Sequence, residues 1–162
     1  MDVSHCRWLL VHLSRPVEAM KSIYAALKPG GMMVCEEADV SAVYTEPPNA
    51  AYIEMVQLCL EGGKQRGVEY TGGRRAHLWA KEAGFEIVHV DAYHPHYLDH
   101  KHKGFWNWTL VTAGERLVLE GTLTDARLRE LEQGMRVADE DADVLVAHSR
   151  MHQLIARKPL RD

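Results

Sequence analysis

Three carboxylates follow directly on one short apolar run: Met32-Met33-Val34-Cys35 leads into Glu36, Glu37 and Asp39. A run that is apolar at every position suits a strand covered on both faces. In open α/β sheets, ligands collect beyond the carboxyl ends of such strands. A carboxylate there can act as a general base once burial raises its pKa. His12 follows an earlier apolar stretch and could face the same crevice, and an imidazole titrates near neutrality without help. The candidate acid–base residues are therefore His12 and Glu37, with Asp39 as a polar substrate contact. The competing reading of residues 36–39 is a solvated acidic loop.

Two other groups carry chemistry-bearing side chains. His94, His96, Asp99, His100 and His102 are the densest set of metal-ligand types in the chain, and imidazole with carboxylate could hold a divalent ion. Spacing on an aperiodic segment does not establish coordination geometry, and a solvated surface loop is the favoured reading, with no metal expected. Aromatic residues gather around that segment: Tyr93 and Tyr97 before Phe105, Trp106 and Trp108, with Tyr44 and Tyr52 earlier. Tyr44, Trp106 and Trp108 are candidate contacts for a flat or apolar small molecule, since ligand pockets are mostly apolar with a few polar groups. Alternatively, Trp106 and Trp108 anchor a helix pair to a sheet.

The elements that must position these residues alternate. Val3 to Cys6 reads as a short strand running into Trp8–Leu13, with Leu9 and Leu10 as core. Ser14 is placed to cap a helix with Pro16 in its first turn. That helix has an apolar face of Val17, Met20, Ile23, Tyr24 and Leu27. Lys28 suits its C-terminal end, and Pro29-Gly30-Gly31 stops it before the strand at Met32. Val40 to Pro48 reads as a loop, and Asn49 caps a helix to about Leu60 that Gly62-Gly63 closes. Thr71-Gly72-Gly73 opens a helix through Ala83, and Phe85 to Val90 alternates as a strand. Tyr93 to Lys103 has no period. Helices are expected over Trp106–Glu120 and from Asp125, capped by Thr124, to about Val137. The acidic stretch at 139–143 reads as a helix start or a solvated turn. A last strand is expected from Met151 to Pro159, at the edge of the sheet.

The opening Asp2–Leu13, the Leu27-Lys28-Pro29-Gly30-Gly31 turn, the helix ending Ala83-Gly84-Phe85 and the closing Ile155–Pro159 occur in the order found in one family. Together they resemble the second half of a class I S-adenosylmethionine-dependent methyltransferase of the small-molecule type. The resemblance implies an α/β fold: a partial Rossmann-like sheet of the last four strands, the final one antiparallel. Flanking helices and a helical insertion or lid over 93–147 complete a single domain of residues 1–162. It also implies that Cys6 and Arg7 lie beside the methyl donor, and that Trp8 and His12 border the transfer channel. The glycine-rich donor loop of the family has no counterpart, because none of the three Gly pairs follows a strand and opens a helix. The chain alone is expected to bind S-adenosylmethionine poorly or not at all.

A length of 162 residues with 46% hydrophobic and 26% charged residues fits one soluble globular domain. A formal net charge of −4 argues against a nucleic-acid partner. No apolar run suggests a membrane span and no signal peptide is recognised, so a cytoplasmic setting is expected. Cys6, Cys35 and Cys59 read as reduced, buried thiols. Two functions stay open. One is the acceptor-binding half of a methyltransferase, inactive without a donor-binding half supplied by truncated or separate sequence. The other is a non-catalytic, dimeric module binding a small ligand. A homodimer is expected, because a half-sheet would leave a strand edge unpaired.

Overall fold

The computed structural model describes residues 1–160. In chain order the strands and helices are β1 (Val3–Arg7), α1 (Pro16–Ala26), β2 (Met32–Asp39), β3 (Tyr44–Glu46), α2 (Ala50–Gln65), α3 (Ala76–Glu82), β4 (Glu86–Tyr93), β5 (His96–Tyr97), α4 (His100–Lys103), α5 (Phe105–Leu119), α6 (Asp125–Glu140), β6 (Leu145–Ala147) and β7 (Arg150–Arg157). Short 3-10 turns at Leu10–His12, Val40–Ala42 and Gly72–Arg75 connect them. The chain divides into two units. The first comprises Met1–Ser41, Leu60–His94 and the segment from Ser149; the second comprises Ala42–Cys59 and Pro95–His148. The helical insertion expected over 93–147 falls mostly within the second unit, which also takes in the segment from Ala42 to Cys59.

The first unit is a four-stranded sheet in the order β1-β2-β7-β4. β1 and β2 are parallel, while β7 runs antiparallel to both β2 and β4. The final strand is thus antiparallel, as expected, but it is interior to the sheet and not at its edge. α1 and α3 bury their apolar faces on one side of it. Met20, Leu27, Trp79 and Ala80 pack with Met33, Cys35, Leu154 and Ala156, and Val17, Ile23 and Tyr24 border this core. The helix spacing read from the sequence therefore identified the right face of α1. Ser14 does not cap that helix, since Arg15 takes the cap position without a side-chain hydrogen bond. Leu10 is fully buried but Leu9 is exposed, because the 3-10 turn points adjacent side chains in different directions.

β2 does not end at Cys35. It continues in register with β7 from Met32↔Arg157 to Asp39↔Arg150, so Glu36, Glu37 and Asp39 are strand residues. Successive strand side chains face opposite ways. Glu37 and Asp39 therefore enter the helix-covered face and are buried, while Glu36 lies on the other face, against Gln153. The solvated acidic loop is overturned for this segment. On that other face Val3, His5 and Arg7 are exposed and Met32 and Val34 half-buried. Among the described residues, β1 pairs only with β2, which leaves its outer edge without a ladder.

The second unit has a small antiparallel sheet, β3-β6-β5, within segments that lack strand periodicity in the sequence. α5 and α6 form a hairpin in which Leu110, Leu128, Leu131 and Met135 are buried. Gly114 lets the helices touch, since a Cβ there would lie 2.5 Å from a Leu128 methyl. Thr124 caps α6 by accepting from the Arg127 N–H, and Asn49 caps α2 by accepting from the Tyr52 N–H. α2 runs on through Gly62-Gly63 to Gln65. Asp139 is buried in the last turn of α6, neither a helix start nor a solvated turn. No helix of the described residues is long and apolar enough to cross a membrane.

Candidate functional site

The first unit gathers six of the residues singled out above around the carboxyl ends of β1 and β2. The parallel register places Arg7 opposite Glu36. One residue further on, Trp8 has φ +52°, a left-handed conformation rare for a bulky side chain. This turns the chain so that the next three amides point at the end of β2. Glu37 is waiting there, fully buried. Its Oε1 accepts from the N–H groups of Leu9 (3.1 Å) and Leu10 (2.9 Å), and its Oε2 accepts from that of Val11 (3.2 Å). The Trp8 N–H donates to the Glu36 carbonyl, and its indole N–H reaches the Met151 sulfur at 3.0 Å. Backbone held in such sparsely populated conformations gathers at functional sites.

The sequence position of Glu37 suggests a general base, and the structure ties its carboxylate to the backbone. Both oxygens are committed to backbone amides in the interior, so it positions the Trp8–His12 turn. His12 remains exposed at the end of that turn, edge-on to Tyr70 at 5.2 Å and tilted against Trp8 at 6.3 Å. Of the proposed acid–base pair, His12 is the member open to solvent. Arg7 is exposed and lies 3.9 Å from Glu36. Cys6 is buried directly across the ladder from Cys35.

Asp39 is 1% exposed and is held by a clamp that includes two residues not singled out from the sequence. Arg74 donates through Nε (2.6 Å) and Nη2 (3.0 Å), and Ser41 through its N–H (3.1 Å) and hydroxyl (2.7 Å). Burial alone would raise the Asp39 pKa, but these bonds outweigh it and hold the carboxyl below the ordinary range. Arg74 also donates to Ser41. Gly73 makes the clamp possible, because a Cβ there would lie within 3 Å of backbone oxygens of β2, including 2.9 Å from that of Ala38. Asp39 is therefore a paired carboxylate whose charge is already answered. The readable signal was an arginine directly after Gly72-Gly73. His152 shares this end of the sheet, opposite Glu37, and burial lowers its pKa despite Asp39.

The glycine pairs also test whether the methyl donor of the family fits this chain. Gly30-Gly31 closes α1, Gly62-Gly63 lies inside α2, and the space beside Gly72-Gly73 is filled by Trp79 and the β2 backbone. None of the three pairs is a cradle open to a ligand.

In the second unit Tyr44 is exposed, with its hydroxyl 3.1 Å from His96 Nε2. Trp106 is 2% exposed and Trp108 is 65% exposed. Two residues apart on one helix, they cannot share a face. Trp106 belongs to the interior, whereas Trp108 can meet a ligand. The histidine segment is ordered by other contacts. His102 pairs with Asp99 and stacks on Tyr97, and His100 Nδ1 lies 3.2 Å from the Asp139 carbonyl. Among the described residues the only ligand cluster of metal-site dimensions is Cys6, Cys35 and Glu37, none of which belongs to that segment. A buried network also emerges: the Tyr52 hydroxyl donates to Asp139 at 2.5 Å, and the fully buried Lys103 ammonium to the Asp141 carbonyl at 2.6 Å. Burial raises the Asp139 pKa, with Tyr52, Lys103, Asn107 and His100 opposing.

Residues 1–90 match the family profile described as a methyltransferase domain. The chain belongs to this family and has the fold of a class I, Rossmann-like methyltransferase. It is 30% identical over 93 residues to an uncharacterized methyltransferase of Schizosaccharomyces pombe, a match that covers 56% of this chain and 33% of that protein. The match thus spans a third of the relative's length. Among solved structures, the fold is similar to that of a methyltransferase from Bacillus halodurans C-125 (TM-score 0.54, 17% identity, 98% of this chain and 70% of that one). It is also similar to a cyclopropane synthase from Mycobacterium tuberculosis (TM-score 0.50, 9% identity, 98% of this chain and 55% of that one).

Proposed function

We propose that this chain is the acceptor-side part of an S-adenosylmethionine-dependent methyltransferase acting on a small molecule, and that a segment outside these 162 residues binds the donor. The observation that carries this reading is the strained Trp8–His12 turn at the carboxyl end of β1, pinned by Glu37. Family membership supports methyl transfer, and the filled glycine pairs support a donor loop located elsewhere. In this reading His12 takes the proton that the acceptor loses, Glu37 holds the turn that presents His12, and Trp8 borders the acceptor. Cys6 and Arg7 lie on the donor side by family resemblance.

Calorimetry with S-adenosylmethionine tests the division of labour. The chain alone is expected to show no saturable binding up to about 100 μM ligand, whereas a Kd near 1 μM, roughly −8 kcal/mol, would refute it.

The unpaired outer edge of β1 favours a second feature, a homodimer in which two such edges or the apolar residues beside them are mutually covered. The same feature supports the reading as a dimeric ligand-binding module if no donor segment acts with the chain. Light scattering at micromolar concentration is expected to report twice the chain mass; a sharp monomer would eliminate the dimer.

A further inference from the structure

We propose that Cys6, Cys35 and Glu37 form a buried site for one thiophilic cation, Cu+ or Zn2+, within the first unit. One ligand atom from each residue lies within 4.8 Å of the other two, and all three residues are buried. The two thiols are direct partners across the parallel β1–β2 ladder, which fixes them on one face at one level.

That ladder also selects between the two things a thiol pair can do. Neighbouring strands lie about 4.8 Å apart. In-register parallel partners hold their Cβ atoms near that spacing, beyond the roughly 3.5–4.5 Å that a disulfide requires. Two metal–sulfur bonds of about 2.3 Å, by contrast, span up to about 4.6 Å. The pair is therefore better spaced for bridging by a cation than for an S–S bond. Thiolate ligands are those that select Cu+ and Zn2+.

Glu37 completes the set. The Cys35 sulfur lies 4.0 Å from Glu37 Oε1. A carboxylate offers about four acceptor positions, and the amides of Leu9, Leu10 and Val11 use three. The open position lies on Oε2, which accepts from Val11 alone, and it remains for a cation. In the metal-free protein the Cys35 thiol donates to Glu37 Oε1. Binding displaces both thiol protons: two S–H bonds break, two metal–sulfur bonds form, two protons leave to solvent, and no electrons are exchanged. The site does not depend on the donor or acceptor roles proposed above.

The test uses the full chain, reduced and anaerobic, in competition with a chromophoric chelator for Cu+ and, separately, for Zn2+. The wild type and Cys59→Ser are expected to retain one equivalent of at least one cation. Cys6→Ser and Cys35→Ser should bind it about 100-fold more weakly, with circular dichroism confirming their fold. Close to two protons should be released per cation bound to the wild type. If the serine variants fail to fold, X-ray absorption on the loaded wild type decides, with two sulfur neighbours expected at about 2.2–2.3 Å. Equal retention in Cys6→Ser and the wild type, loss in Cys59→Ser, sulfur-free coordination, or no retention of either cation would each overturn the proposal.

Discussion

Replacing Glu37 by Gln preserves shape and removes one acceptor. The remaining carbonyl oxygen can still accept from Leu9 and Leu10. The new NH2 group must then face the Val11 N–H, donor against donor, at a residue with no solvent exposure. A buried amide left unsatisfied costs about 1–3 kcal/mol. The two surviving bonds lose their charge assistance, which roughly halves their strength and adds about 1 kcal/mol. The total is about 2–4 kcal/mol, out of a net stability of about 5–15 kcal/mol for a protein domain. Urea unfolding followed by tryptophan fluorescence should show the midpoint falling by about 1–2 M at unchanged slope. Thermal unfolding should drop by roughly 5–12 °C. Hydrogen exchange should locate the damage at the amides of Leu10 and Val11. Glu36→Gln, on the opposite face and still in reach of Gln153, serves as the control, with an effect below about 0.5 kcal/mol. If Glu37→Gln matches that control, Glu37 does not hold the turn.

Two further substitutions probe the neighbourhoods of Asp39 and Asp139. Gly73→Ala drives a Cβ into the backbone oxygens of β2 and should cost about 2 kcal/mol or more; a loss under about 0.5 kcal/mol in a thermal melt would show that the Gly72–Arg75 turn yields easily. Asp139 has its folded pKa raised by burial, so its contribution to stability is full below the unfolded carboxylate value and is lost as pH rises through the folded value. Asp139→Asn keeps an acceptor for Tyr52 and removes this titration. The stability of the wild type relative to the variant should therefore decline from pH 4 to pH 7 in urea titrations, and a flat or rising difference would refute the burial argument.

The first unit was legible in the sequence where one physical pattern dominated. The apolar spacing of α1, its Pro-Gly-Gly stop and the glycine closing the α3 turn each have one local reading, and the strands they separate are observed, with β7 inside the sheet and not at its edge. The reading failed where partners distant in sequence decide. Glu36, Glu37 and Asp39 read as a loop because charged residues rarely fill a covered strand. β7, more than a hundred residues away, extends the ladder through Asp39, and amides and an arginine from other segments answer the two buried carboxylates. β3, β5 and β6 are two or three residues long, too short for any periodicity to register, and they form only because β6 lies between the other two. Candidate site residues divided in the same way. His12 is exposed at the end of the Trp8–His12 turn. Glu37, with the same ranking from sequence, is buried and accepts from the three amides that precede His12. Residue type gives the two the same standing, and only the three amides at Glu37 separate a buried, backbone-bound carboxylate from an exposed imidazole. A charge-neutral substitution at Glu37 should therefore disturb the turn first, and any chemistry at His12 only through it.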